Sequence, residues 1–445
     1  MDGITRRGSL ALGAGVIAAA TMADGKLANA AIPTVNVEPP KQPIEAGATL
    51  RVLRPVKYID PDQTFFDANT AKFTKATGVP VRIDYVGFED LRPQTAVAAR
   101  TGAGPDVVLG WGDDPHLYTD KILDLTELAD YLGKKYGGWE ILAARYGRKW
   151  GTESWIAIPF GGSGGPVVYR KSWVKEAGYD TIPEDHDKFL DLCRKLNKNG
   201  HPVGFTLGNA VGDGNAYCSW LLWSFNGYMI DEAGKVAINR PETIAALKYS
   251  AELYKTFIPG VLSWLDPSNN KAFIAEEISM TQNGVSIYFV LKNDPKTVHI
   301  ADDTDHAPMP RGRAASRPET ASVINAMIFK HSKFPNAAKE YIRFMMEADQ
   351  YDPWLTATAG YWAHPLKAYN DSAVWKSDPK IIPYRDACAM EFWAGYKGPI
   401  SAASGATTSE YVLVQMFAAV ASGQATPEEA VAEAERRTKR IYREK

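Results

Sequence analysis

The run Gly161-Gly162-Ser163-Gly164-Gly165 matches G-x-S-x-G, the pattern that lifts a nucleophilic serine onto a sharp strand-to-helix turn. That turn needs a helix directly after the serine. Here Pro166-Val167-Val168-Tyr169 follows, which reads as a strand. Ser163 is therefore expected to be a hydrogen-bonding group rather than a nucleophile, and no catalytic residue is assigned. Asp113-Asp114 is a carboxylate pair of the kind glycoside hydrolysis uses, but no facing partner is legible. The densest group of metal-ligand types is His299, Asp302, Asp303, Asp305 and His306. Its spacing fits no known ligand frame, and Pro308 and Pro310 follow it, so a solvated loop without metal is expected. The seven histidines form no H-E-x-x-H, and no G-x-x-x-x-G-K-[ST] loop is present. No cofactor is expected.

The elements around these residues alternate. Thr49 to Leu53 reads as a strand, Asp62 to Thr77 as a helix closed by Gly78, and Val81, Ile83 and Tyr85 as a second strand. Leu91 to Thr101 is helical and Asp106 to Leu109 is a short buried strand. Strand, helix, strand, helix, strand at this spacing predicts a parallel sheet with crossovers. Beyond residue 170 the chain becomes helix-rich. Pro183 to Leu196 and Pro241 to Phe257 are predicted helices, and Thr426-Pro427-Glu428-Glu429 is a capping box that opens the last one.

At 445 residues the chain is long enough for two domains. A net charge of −2 exerts no general pull on nucleic acid or anionic membrane. Residues 1–30 stand apart. Arg6-Arg7-Gly8-Ser9-Leu10 is followed by an uncharged apolar run, then by the small residues Ala28-Asn29-Ala30. This is the build of an export signal, and the paired arginines resemble the twin-arginine type. The apolar run is about fifteen residues, short of the ~20 that span a bilayer. Removing Asp2, Arg6, Arg7, Asp24 and Lys26 leaves the charge negative. Residues 31–48, with Pro33, Pro39, Pro40 and Pro43, read as an extended linker. Cys193, Cys218 and Cys388 form no C-x-x-C pair, and no structural disulfide is expected.

Several segments in order carry a resemblance. Gly104-Pro105-Asp106-Val107-Val108 is followed by Leu123-Asp124-Leu125-Thr126-Glu127-Leu128. Ile158-Pro159-Phe160 precedes Val168-Tyr169-Arg170-Lys171-Ser172-Trp173 and Ala177-Gly178-Tyr179. Ala272-Phe273 leads to Ser279-Met280 and Asn283-Gly284, and Pro335-Asn336-Ala337-Ala338 opens a helix through Phe344. From about residue 48 onward the chain resembles the family 1 extracellular solute-binding proteins of ABC importers, the group that includes maltose- and other sugar-binding proteins. It departs from them at three places. His186 stands near a usual Trp, Glu276-Glu277 replaces a glycine, and Val285 replaces an aromatic that often stacks on ligand.

The resemblance implies an α/β, two-lobe periplasmic binding fold of type II-like build. Each lobe would be a mainly parallel sheet flanked by helices, with strands crossing between them. It places 49–160 and about 283–320 in the first lobe, and 161–282 and about 321–445 in the second. Gly161, Gly162, Gly164 and Gly165 would form a permissive hinge. Ligands of α/β sheets sit beyond the carboxyl ends of strands, which selects Tyr58, Asp60, Trp111, Asp113 and Asp114. Phe160 and Ser163 lie at the hinge, Trp223 and Asn226 precede the Gly227-Tyr228 turn, and Asn283 follows the second crossing. Tyr361, Trp362, Glu410 and Tyr411 fall where the family carries cleft contacts. The implied function is capture of a small molecule, a sugar or polyol, for delivery to inner-membrane permease subunits, by a periplasmic monomer that binds no nucleic acid. Two alternatives stay open. One is a charged or aromatic non-sugar solute, of the phosphorylated polyol type, motivated by Arg54, Lys57 and Arg92. The other is an exported hydrolase using Ser163 or the acidic pair.

Overall fold

The computed structural model describes residues 31–443, so the predicted export signal lies outside the described residues. Five strands form the larger sheet: β1 (Leu50–Pro55), β2 (Val81–Val86), β3 (Val107–Trp111), β4 (Ile158–Gly164) and β8 (Ala321–Ile328), in the order β2-β1-β3-β8-β4. β1 pairs in parallel with β2 and β3, as the alternation predicted. The crossovers are the helices Asp60–Thr77 and Leu91–Thr101. The first ends where expected, because Gly78 adopts φ 76° and its N–H caps the Thr74 carbonyl. β3 is buried at every residue, as a central strand covered on both faces must be. Inside this lobe Arg54 and Asp62 form a buried ion pair at 2.5 Å, with Arg54 lying over the Phe66 ring.

The smaller sheet contains β5 (Val167–Arg170), β6 (Met280–Gln282) and β7 (Thr304–Ala307), in the order β6-β5-β7. A mainly parallel sheet was expected here, and the pairing corrects that: β5 runs antiparallel to both neighbours. β5 leads away from the first lobe while β6 and β7 run the opposite way. Parallel pairing survives at the outer margin, in the bridge of Val203 to Phe257, beside a hydrogen bond from Gly204 N–H to the Met280 carbonyl at 3.0 Å. This sheet has its own aromatic-rich core, in which Phe205 stacks on Tyr217 with ring centres 4.9 Å apart.

The lobe boundaries also need correction. β7, expected in the first lobe with 283–320, pairs with β5 in the second. β8, expected in the second lobe with 321–445, lies between β3 and β4 in the first. The helices Pro335–Met346 and Ala348–Ala357 follow it and pack on the helix Asp60–Thr77. Asn283 does not follow a crossing, since β6 before it and β7 after it both pair with β5. The Asn283 amide is absorbed locally, bonding Asn269 and Asn270. The chain crosses between lobes at 164–166, between β7 and β8, and again between Ala387 and Val412, which belong to the first and second cores.

Residues 31–48 form no helix or strand, and they are pinned to the first lobe. Val35 N–H bonds the Lys135 carbonyl at 2.9 Å, and Asn336 donates to the Pro43 carbonyl at 3.0 Å. The Glu45 carboxylate accepts the N–H groups of Asn336 and Ala337 at 2.8 and 3.0 Å. It caps the Pro335–Met346 helix from outside that helix, where anions are favoured. Glu45→Ala should therefore cost about 1 kcal/mol of stability, the usual worth of a helix cap. Urea unfolding would read this as a lower midpoint, and an unchanged midpoint would show that the segment carries no stability.

Candidate ligand-binding cleft

Between the sheets lie two adjoining cavities of about 90 and about 70 Å³. They share Trp111, Gly212, Ala216, Thr320 and Ser322 in their walls. Strand ends place the first-lobe side, and helix starts place the second-lobe side.

β3 ends on Trp111, and the chain then turns through Gly112, Asp113 and Asp114. Asp114 holds this turn, accepting Trp111 N–H at 2.8 Å. Arg92 reaches over from the helix Leu91–Thr101, giving Nε to Asp114 and Nη2 to Asp113, each at 2.6 Å. Burial pushes the Asp114 carboxyl up to about 6, against the pull of Arg92. The other Asp113 oxygen, Oδ2, is buried without a partner and faces the larger cavity. Phe88 stacks on Trp111 with centres 5.3 Å apart, and Tyr58 meets Phe88 edge-on. Burial, aided by the charges of Asp213 and Asp266, pushes the Tyr58 hydroxyl far above its usual range.

Across the cleft, Asp266 caps the helix Asp213–Ser224. It accepts Asp213 N–H at 2.8 Å and Gly212 N–H at 3.1 Å. Asp213 accepts from the Asn269 amide at 2.7 Å. Burial raises both carboxyls, Asp266 to about 6 and Asp213 well above the usual carboxylate range, with the charge of Asp266 adding to the effect on Asp213.

Of the residues expected in the site, Tyr58, Trp111, Asp113, Ser163, Trp223, Asn283, Tyr361 and Trp362 line the cavities. Six do not. Asp114 sits behind the wall, holding Arg92 and the β3 turn. Phe160 is a core residue in a β-bulge, where Pro159 and Gly161 pair with consecutive residues of β8. Its unpaired carbonyl accepts the Tyr351 hydroxyl at 2.6 Å. Asp60 is a surface partner of Lys57 at 2.6 Å. Asn226 is exposed at φ 64° and donates to the Arg313 carbonyl. Glu410 is exposed and faces Arg440 at 3.5 Å. Tyr411, at φ 53°, opens the helix Val412–Ala421 within reach of Arg92's charge but outside both walls. Asp213, Asp266, Asn270, Gln282 and Tyr396, which the strand-end rule did not select, do line the cavities. Asp213 and Asp266 stand in the first turns of helices, a position that rule never samples.

The alternative readings lose their motives. Ser163 lies within β4, paired with Ser322, and Gly284 packs against its hydroxyl so closely that an added Cβ would stand 2.4 Å away. No histidine lines either cavity. The three cations that suggested an anionic solute are already paired, Arg54 with Asp62, Lys57 with Asp60 and Arg92 with Asp113 and Asp114. The His299–His306 group is dispersed as well. Asp303 holds Arg170 and Ser172, and His306 is buried between Tyr288 and Tyr384. Cys193, Cys218 and Cys388 are buried and unpaired.

The glycines of β4 have a different reason to be glycine than conformational freedom. None of Gly161, Gly162, Gly164 and Gly165 has a positive φ. A Cβ on Gly161 would stand 2.8 Å from the Trp362 Cβ and 2.9 Å from the Ala363 carbonyl oxygen. On Gly165 it would meet the flexible Gln282 side chain. Gly161→Ala is expected to destabilise by about 1–3 kcal/mol through overpacking, and Gly165→Ala by less. Equal losses in thermal unfolding would contradict this packing account. Arg92→Met should cost roughly 3–5 kcal/mol near neutral pH, because two buried carboxylates lose their counter-ion. The deficit should narrow as pH falls towards about 6, since Asp114 without Arg92 takes up its proton at a higher pH than in the intact protein. A deficit that stays flat in pH-dependent unfolding would show that the loss is one of packing.

A profile of the family described as bacterial extracellular solute-binding protein matches residues 68–383. The chain is 23% identical over 328 residues to YcjN of Escherichia coli (strain K12), named as an ABC transporter periplasmic-binding protein, covering 70% of this chain and 72% of that protein. Its fold matches maltose-bound MalE3 of T. maritima at TM-score 0.75 and 20% identity, over 89% of this chain and 100% of that one. It also matches an ABC transporter solute-binding protein of Agrobacterium vitis S4 with bound D-mannitol at TM-score 0.72 and 22% identity, over 89% and 99%. With the family match spanning most of the two-lobe fold, the chain belongs to the bacterial extracellular solute-binding proteins.

Proposed function

We propose that this protein captures one small carbohydrate or polyol between its lobes and delivers it to the permease of an ABC importer, without chemistry of its own. The observation that carries this reading is the set of polar atoms left open in the cleft. Trp111 Nε1, Trp362 Nε1, Gln282 Oε1 and Asp113 Oδ2 are all buried, line the cavities and have no partner. An unpaired buried polar atom costs about 1–3 kcal/mol. Donors and acceptors interleaved with aromatic faces suit hydroxyls on an apolar carbon skeleton. The maltose bound to MalE3 and the D-mannitol bound to the Agrobacterium vitis protein support the same class. Size argues for a single unit. At the ~10–15 Å³ that one water needs, each cavity holds on the order of half a dozen waters. Together they match one hexose or hexitol rather than an oligosaccharide.

Tyr58, Trp111, Asp113, Ser163, Trp223, Asn283, Tyr361 and Trp362 act in this reading as ligand contacts. Gly161, Gly162, Gly164 and Gly165 belong to the segment about which the lobes close. Lobe closure on ligand is the state a permease would read. The protein works as a periplasmic monomer without nucleic acid, exported by the twin-arginine route, a reading supported by Arg6-Arg7 and the apolar run after them.

Thermal-shift and calorimetric titration against D-mannitol, ribitol, D-glucose, D-galactose and maltose test this. Saturable binding by a monosaccharide or polyol is expected, with Trp111→Ala and Trp362→Ala each weakening it about tenfold or more, as loss of a buried ring contact does. No binding anywhere in the panel would refute the carbohydrate assignment.

A further inference from the structure

Charge is unevenly distributed over the cleft. Beside the larger cavity, acid and base meet, with Arg92 holding Asp113 and Asp114. Around the smaller cavity the ionisable carboxylates are Asp213 and Asp266, and no Lys, Arg or His side chain lines it. Asp266 has a structural reason to be there, since it caps the helix Asp213–Ser224 through backbone N–H groups. Asp213 lacks one of that kind. Its place in the first turn gives it the helix dipole but no counter-ion. Among the described residues its donor is the neutral amide of Asn269, and no cation pairs with it.

A second observation concerns the walls. Tyr58, Phe88, Trp111, Tyr361 and Trp362 surround the same cavity with aromatic rings. Trp111, Trp362 and Gln282 are 5%, 3% and 5% exposed, and each holds a polar atom there without a partner. Ring faces attract cations, and carboxylates do so more strongly where water is excluded. A neutral guest would leave the acid pair without a counter-charge. Burial already pushes the Asp213 carboxyl well above the usual carboxylate range, and a cation in contact is the neighbour that lets both acids ionise.

We infer that the captured solute carries an ammonium group. It is an amino sugar or amino polyol whose protonated amine lies against Asp213, with its hydroxyls on Trp111, Trp362 and Gln282. This rests on the carbohydrate reading of the same cleft and narrows it.

Calorimetric titration near neutral pH would compare matched pairs in which an ammonium replaces a hydroxyl: D-glucitol with D-glucamine, D-glucose with D-glucosamine, and D-galactose with D-galactosamine. In at least one pair the amine should bind about tenfold tighter or more, the scale of a charge-assisted hydrogen bond. That advantage should shrink with added salt and close to parity in Asp213→Asn. The central comparison uses the unmodified chain, so it does not depend on how the variant folds. Neutral members that bind as tightly as their amines would overturn the inference and leave the carbohydrate reading standing. An advantage that survives Asp213→Asn would overturn the assignment to Asp213. Failure of every pair, together with the neutral panel, would overturn both readings at once.

Discussion

The contact between β4 and β8 sets the geometry of everything else in the cleft. The two strands run antiparallel from Ile158 opposite Ala326 to Gly164 opposite Ala321, and both leave the first sheet at the same edge of the cleft. Gly162 also exchanges two backbone hydrogen bonds with Ala363, each 2.8 Å. Three chain segments therefore meet with no room for a Cβ at Gly161 or Gly162 of the middle one. That closeness brings Thr320 and Ser322 from one side, and Ser163 to Gly165 from another, into the cavity walls. It also sets Trp362 against the cleft, because the backbone of Trp362 and Ala363 is the surface on which Gly161 lies.

Within this frame, the acids of the cleft are held by different means. Asp114 and Asp113 share a guanidinium, Asp266 relies on backbone N–H groups, and Asp213 has a single neutral amide. A lone neutral hydrogen bond stabilises a carboxylate less than a guanidinium or several backbone N–H groups do. The wall consequently grades from a compensated end at Arg92 to an uncompensated end near Tyr58. The aromatic rings run along both ends, with Trp111 common to them.

Much of the first lobe was legible because its strands and crossover helices obey local rules. β1 and β2 alternate or end on clear punctuation, and Gly78 stops a helix as glycine does. β8 was not recognised as the return strand, since its residues are buried on both faces and leave no period to read. Asn283 was expected just after a crossing because the resemblance placed one there, yet the chain stays with the second sheet and the amide serves a local network. The strand-end rule found Tyr58, Trp111 and Asp113. It also took Asp60, which has an adjacent lysine and faces water. Asp213 and Asp266 escaped because their place in the cleft depends on how two helix starts converge, a long-range fact with no local signature. Asn226 and Glu410 failed for the opposite reason, since position along the chain was matched while orientation was not.

The docking of Glu45 reaches beyond stability. Its partner Asn336 lies 291 residues further along the chain. A ribosome makes the acceptor helix only after most of the protein has emerged, so the Glu45 cap forms late in synthesis, although Val35 finds its Lys135 partner earlier. Closing so long a loop adds little entropy beyond a shorter one, but it fixes the order of events. The Glu45 cap thus reports that the helix Pro335–Met346 has formed, and it joins the segment before β1 to a late element of the first lobe.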